Sequence, residues 1–183
     1  AVESSNLSLL RALHKLDKGL LRQAFAMTFA SDNIVELTPI TLAVMNGLEE
    51  VVRLLVGELG ADVNQASGLG GSMLLHFASS ARMVTCLHKL GADLDRSNDN
   101  GATPCYAAAC VGRQLVIRRL HELGANLNLT TKHGNSALHE AAGQNHKSCV
   151  RTLIEFGVEL DVLNDQAQSA SFVASFRGHA DVL

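Results

Sequence analysis

Four glycines recur along the chain at nearly constant spacing, and this period constrains the fold more than any other feature of the sequence. The glycines are Gly60, Gly91, Gly124 and Gly157, separated by 31, 33 and 33 residues. A second element recurs between and around them as TPITLAV, MLLHFAS, TPCYAAA, SALHEAA and SASFVAS, starting at residues 38, 73, 103, 136 and 169. Self-similarity at a period of roughly 20–50 residues indicates a repeat architecture.

Each repeat is predicted to contain two short antiparallel helices and a turn. Four of the second elements begin with a hydroxyl residue that can cap a helix N-terminus, namely Thr38, Thr103, Ser136 and Ser169. The only two prolines, Pro39 and Pro104, follow at the first helical position, where a missing N–H costs nothing. Gly47, Gly112 and Gly178 can end this helix in the left-handed conformation.

A second helix in each repeat carries an apolar face, such as Val116, Ile117 and Leu120, and is predicted to end at the recurring glycine. One such helix pair cannot bury its apolar face alone. It must stack on copies of itself, which predicts an elongated solenoid.

These elements resemble the ankyrin repeat, whose signature is T-P-L-H-x-A-A, then G-H, an apolar helix and G-A-D-x-N. The match runs from Leu37 to Leu183 and recurs in register. The resemblance implies an all-α fold, an ankyrin-repeat α-solenoid of stacked antiparallel helix pairs joined by extended turns or β-hairpin fingers. The repeats are predicted at about 37–67, 68–98, 99–131, 132–164 and, in part, 165–183.

Three departures from the pattern carry predictions of their own. Residues 1–36 lack the signature and are interpreted as a degenerate helical hairpin that caps the stack, the alternative being an independent partner-binding helix pair. The second repeat is three residues short between His76 and Gly91, which predicts an abbreviated turn between its helices. The fifth repeat stops inside its second helix at Leu183, and the chain begins at Ala1 without Met, so we expect a fragment of a longer protein.

The segment SALHEAAGQNH, from Ser136 to His146, resembles the start of the zinc-binding motif H-E-x-x-H. That motif needs a second histidine four residues after the first, and Gly143 stands there instead. In ankyrin repeats the first histidine is structural and bonds the backbone of the turn. His76 and His139 match it, whereas Tyr106 and Phe172 replace it in other repeats, so we expect no metal site.

Composition excludes several other classes of function. A net charge of −3 argues against a broad nucleic-acid surface, and sparse aromatics with no Trp argue against base stacking. No apolar run is long enough to cross a bilayer, so membrane insertion is not expected. The four cysteines lie in predicted helices without a C-x-x-C pair, which indicates buried, reduced thiols and a cytoplasmic protein. No nucleophile, base and orienting group are brought together, so we expect neither catalysis nor a cofactor.

The expected function is protein–protein interaction, because a solenoid offers an extended concave surface. Two alternatives stay open: a regulatory or substrate-recruiting arm of a larger enzyme, and a bacterial effector that binds host proteins. The isolated chain is expected to be monomeric.

By resemblance, partners bind the finger tips and the exposed positions of the first helices. The matching tip residues are Gly68, Leu69, Asp99, Asn100, Lys132, His133, Asp165 and Gln166. The matching helix residues are Met45, Asn46, Ser80, Cys110, Val111, Gly143, Gln144, Phe176 and Arg177. The resemblance also implies that Asn64 and Asn128, in the G-A-D-x-N slot, are substrates of a cytosolic asparaginyl hydroxylase.

Overall fold

The computed structural model describes residues 38–66, 70–179 and 182. The predicted hairpin at 1–36 lies outside these residues, as do Gly68 and Leu69. The described residues form eight α-helices and one 3₁₀ helix: α1 Pro39–Met45, α2 Glu49–Gly57, the 3₁₀ helix Leu74–Phe77, α3 Ala81–Lys89, α4 Pro104–Cys110, α5 Gln114–Glu122, α6 Ala137–Gly143, α7 Lys147–Glu155 and α8 Ala170–Phe176.

The predicted caps open the first helix of four repeats. At each, the backbone N–H three residues later donates to the cap hydroxyl, over 3.4 Å at Thr38, 3.3 Å at Thr103, 3.4 Å at Ser136 and 3.2 Å at Ser169. These bonds satisfy donors that the first helical turn leaves free. The predicted glycines end the same helices with positive φ, and Asn145 takes that role after α6 with a φ of 60°.

The helices form two layers. The first-helix layer contains α1, the 3₁₀ helix, α4, α6 and α8, each packed on the next. The second-helix layer contains α2, α3, α5 and α7, packed in the same order. Buried alanines let the first helices approach closely: Ala43, Ala78, Ala108, Ala109, Ala141, Ala142 and Ala174. Between the layers lie large side chains with essentially no exposure, including Met83, Leu87, Ile117, Leu120 and Leu153.

The second repeat is shortened in its first helix, and the prediction of an abbreviated turn is wrong. Three residues separate the 3₁₀ helix from α3, as three residues separate α4 from α5. The first helix of this repeat is shorter instead: it is the 3₁₀ helix Leu74–Phe77, whereas the corresponding helix of the next repeat is the α-helix Pro104–Cys110. Arg113 of the next repeat then donates to its terminal carbonyls, at 3.1 Å from Ala78 O and 3.5 Å from Phe77 O. This bond satisfies acceptors that a short helix leaves unpaired.

The fingers are the segments that connect each second helix to the next first helix. Neighbouring fingers are joined by backbone hydrogen bonds of 3.0 Å, from Asp99 N to Gly70 O, Lys132 N to Asn100 O and Asp165 N to His133 O. Across the described part of the chain, the fingers contain one isolated antiparallel bridge, between Thr130 and Ser136, and no extended strand. The fingers are therefore extended turns, and their tips are held in register by the backbone.

Candidate functional site

The first-helix layer exposes a column of large apolar side chains. Val111 is 54% exposed, Phe172 51% and Phe176 81%, and Met45 at the other end of the described layer is 43% exposed. The rings of Phe172 and Phe176 stack one helical turn apart, with centroids 6.2 Å from each other. Large apolar groups on a rigid helix face are typical of an interaction surface.

Glu140 forms a polar cluster within this column. Tyr106 Oη donates to Glu140 Oε2 over 2.7 Å, and Gln144 Nε2 donates to Oε1 over 2.9 Å. Burial by itself raises the pKa of Glu140. The net shift is nevertheless downward, because these two hydrogen bonds, a third from the Cys110 thiol and the nearby charge of Arg177 favour the carboxylate. The carboxylate therefore stays charged at neutral pH, and its partners fix the surrounding side chains.

Cys110 departs from the prediction that all four cysteines are buried. It lies at the end of α4 and is exposed, whereas Cys86, Cys105 and Cys149 are buried free thiols. Partial burial, the charge of Glu140 and the hydrogen bond to it raise the pKa of Cys110. Burial raises the pKa of Cys105 to about 12. Neither thiol is an activated nucleophile, because nucleophilic attack needs the thiolate.

A shallow groove of about 230 Å³ connects the helix column to the last fingers. Its walls include Glu140, Val173, Phe176 and Arg177 from the helices, and Asn164 and Gln166 from the finger. Arg177 is held in place because its Nη1 donates to Gly143 O over 3.2 Å. The groove shows that finger tips and first helices form one continuous surface in this part of the stack.

The structure brings together many of the predicted interaction residues. Cys110, Val111, Gln144, Phe176 and Arg177 lie on neighbouring first helices or at their C-terminal ends, and all five are exposed. The tip residues are also exposed: Asp99, Asn100, Lys132, His133, Asp165 and Gln166. Met45 and Asn46 are exposed in the first described repeat, two repeats away from Cys110 and Val111.

Two predicted positions differ from expectation. Ser80 is not in a first helix; it is the N-cap of α3, and its hydroxyl accepts from Met83 N over 3.2 Å. The shortened helix ends before reaching it. Gly143 is buried against α8, where an added Cβ would lie 3.0 Å from Val173. Sequence reasoning missed Glu140 and treated Tyr106 only as a replacement in the histidine position.

His76 and His139 have the structural role that the sequence predicted. In His76, Nδ1 accepts from Met73 N at the helix start over 3.1 Å, and Nε2 donates to Ala102 O of the following finger over 2.8 Å. In His139, Nδ1 accepts from Ser136 N over 3.2 Å, and Nε2 donates to Gln168 O over 3.0 Å. Each ring thus joins two repeats. No group of three potential metal ligands is found among the residues that the structure describes.

The buried His76 is expected to make stability fall as pH falls. Burial lowers its pKa from the ordinary 6.5. The unfolded chain therefore binds a proton as pH drops through about 6.5, before the folded chain does, and this favours unfolding by at most about 1.4 kcal/mol per pH unit. The free energy of unfolding, measured with urea at about pH 7.5 and about pH 5.5, should fall less between these two pH values for His76→Gln than for the native chain.

His88→Gln is the control for that measurement, because His88 is exposed on α3 and forms no ion pair with another described residue. It should keep the pH dependence of the native chain. An equal pH dependence in His76→Gln and the native chain would exclude His76 as a source of the effect.

Asn64 and Asn128 lie at the interfaces between neighbouring repeats. The Asn64 amide donates to Gly91 O and accepts from Asp93 N, both over 2.9 Å. Asn128 Oδ1 accepts from Glu159 N over 2.9 Å. Both side chains therefore link one finger to the next repeat, and their hydroxylation stays a prediction.

None of the helices in the described ranges has the length and apolar character needed to span a bilayer.

Comparison with family models matches ankyrin repeats in three overlapping copies, at residues 40–131, 74–164 and 116–183. Comparison with curated proteins finds no match. Ankyrin repeats are generally protein–protein interaction modules and are typically non-catalytic. The matched region covers most of the 183 residues and agrees with the paired helices, capped turns and bridging histidines, so the chain belongs to the ankyrin repeat family.

Proposed function

We propose that this chain is a non-catalytic interaction module that binds a partner protein or peptide on its first-helix layer and finger tips. The observation that carries the proposal is the exposure of Val111 and Phe176 on the first-helix layer, with Phe176 lining the groove. Covering one such side chain contributes about 1.5–3 kcal/mol at most. A few anchors of this size supply most of the energy of a typical interface.

The surroundings of the column support the same function. Glu140 is tied to Tyr106 and Gln144, and Arg177 is tied to Gly143 of the preceding repeat. These bonds hold the polar side chains in place before a partner arrives, which reduces the entropy lost on binding. The exposed tips around the apolar column are polar and provide the rim that interfaces generally have.

The proposal is tested by affinity capture from a cytosolic extract, read by mass spectrometry, with the native chain and a Val111→Arg, Phe176→Asp double variant. Both substitutions place a charge on an exposed residue, so the fold should be retained, which circular dichroism and thermal unfolding check. The expected result is a protein captured by the native chain and lost by the variant.

Leu115→Arg, Ile154→Asp is the matched control. Leu115 is 67% exposed and Ile154 41% exposed, and both lie in the second-helix layer. This variant introduces the same two residue types away from the proposed surface and should capture the same protein as the native chain. Equal capture by all three chains would show that the first-helix layer is not the binding surface.

A further inference from the structure

The charges of this chain are segregated between its fingers and its second helices. From each recurring glycine to the next first helix, the fingers carry seven acidic residues: Asp62, Asp93, Asp95, Asp99, Glu159, Asp161 and Asp165. The same segments carry two basic residues, Arg96 and Lys132. In contrast, α2, α3, α5 and α7 carry seven Lys or Arg and four Glu. The net charge is thus −5 on the fingers and +3 on the second helices.

The acidic groups of the second-helix layer have cationic partners within the chain. Glu49 lies 3.1 Å from Arg82, Glu155 2.9 Å from Arg118, and Glu122 2.8 Å from Arg119. Their charge is therefore largely compensated before any partner binds.

The acidic groups of the fingers have few such partners. Among the residues described, the only finger carboxylate within 4 Å of a Lys, Arg or His side-chain nitrogen is that of Asp165, 3.8 Å from Nδ1 of His133, which is charged only when it is protonated. Asp62, Asp99, Glu159 and Asp161 are exposed. The uncompensated negative potential is therefore strongest at two fingers, 91–103 with a net charge of −2 and 157–169 with a net charge of −3, whereas the finger 124–136 between them carries only Lys132.

This potential borders the apolar column directly. Gln166, next to Asp165 at the finger tip, lines the same groove as Phe176 and Glu140. Arg177, the cation of this groove, donates to Gly143 O and faces Glu140, so its charge is already partly offset. A partner that covers Phe176 must therefore place its flanking groups near the acidic fingers.

We infer that the partner segment carries at least one large apolar side chain flanked by Lys or Arg residues. The inference rests on the proposed function: the apolar side chain would pack on Val111 and Phe176, and the basic side chains would lie along the fingers. Exposed ion pairs add little affinity one by one, but opposite charges along an interface speed association and exclude acidic competitors. Nucleic acids and anionic membranes would be repelled by the same fingers.

Selection from a random peptide library displayed on phage tests this inference with the native chain as bait. The expected result is enrichment of peptides that combine an aromatic or large aliphatic residue with several Lys or Arg residues. Parallel selection on the Val111→Arg, Phe176→Asp variant should lose these peptides. Enriched peptides with no excess of basic residues, or no enrichment at all, would overturn the inference.

A quantitative arm uses the most enriched peptide as the probe and measures Kd by fluorescence anisotropy. Neutralising four finger carboxylates (Asp99→Asn, Glu159→Gln, Asp161→Asn and Asp165→Asn) should weaken binding by about fivefold or more. Raising the salt from about 0.05 M to about 0.3 M should weaken binding to the native chain and have a smaller effect on this variant.

The matched control neutralises four acidic groups elsewhere: Glu50→Gln, Glu58→Gln, Glu122→Gln and Glu155→Gln. It changes net charge by the same amount outside the fingers and should leave Kd within about twofold. One outcome separates this inference from the proposed function: the Val111→Arg, Phe176→Asp variant loses peptide binding, but the variant with neutralised finger carboxylates binds as tightly as the native chain. That outcome would exclude a basic partner segment and leave the proposed interaction surface supported. If the Val111→Arg, Phe176→Asp variant also binds unchanged, the proposed function itself fails.

Discussion

Leu120→Ala is expected to lower the free energy of unfolding by about 2–5 kcal/mol. Leu120 lies in α5 with no exposed surface, and α5 packs between α3 and α7 in the second-helix layer. Truncation removes buried apolar surface and leaves a cavity that its neighbours fill only in part. In a solenoid each repeat is stabilised by its neighbours, so a defect in a middle repeat weakens two interfaces.

Urea unfolding followed by circular dichroism measures this effect, and Leu115→Ala is its control. Leu115 is in the same helix but is 67% exposed, so its truncation should change stability by no more than about 0.5 kcal/mol. Comparing two leucines of one helix removes any difference in helix propensity. Equal midpoints for the two variants would contradict the burial of Leu120.

Gly101→Ala is expected to destabilise the stack by about 2–5 kcal/mol through a different mechanism. Gly101 has a φ of 78°, which strains any residue with a Cβ. An added Cβ would also lie 2.6 Å from the backbone nitrogen of Lys132 in the next finger. That nitrogen donates to Asn100 O, so the clash would disturb the bond that joins the two finger tips.

Gly124→Ala separates strain from the clash. Gly124 has a φ of 94°, and an added Cβ there would meet no atom within 4 Å. This control should cost only about 1 kcal/mol, the typical penalty for a left-handed conformation with a side chain. The difference between the two variants, measured from urea midpoints, reports the close approach of neighbouring fingers. A cost for Gly101→Ala no larger than that for Gly124→Ala would contradict that approach.

Local sequence signals predicted most of the described helices. Thr38, Thr103, Ser136 and Ser169 were recognisable as caps because capping depends on residues only three positions apart. The bonding of His76 and His139 to the turn was also predicted, from the resemblance to the ankyrin repeat. The three-residue deletion in the second repeat was seen, but its location was misassigned, because sequence spacing does not show whether a helix or a turn absorbs the loss.

The candidate site was predicted in part. Val111, Phe176 and Arg177 were identified from their repeat positions, and the structure places them on the exposed first-helix layer. Ser80 was misplaced because its repeat departs from the regular length. The Glu140 cluster was not foreseen, since Tyr106 lies 34 residues from Glu140 and meets it only when neighbouring repeats stack.

By itself, the sequence determined the period, the helix pairs, their caps and the composition of each face, because these depend on residues close together along the chain. The tertiary structure alone decided how the repeats meet. Stacking exposed Cys110, buried Gly143, surrounded Glu140 with donors from two repeats and placed the finger tips in hydrogen-bonded register. Stacking also brought Glu49 to Arg82 and Glu155 to Arg118 of neighbouring repeats while most finger carboxylates stayed unpaired among the described residues, because these pairs depend on distances between repeats that no local pattern encodes.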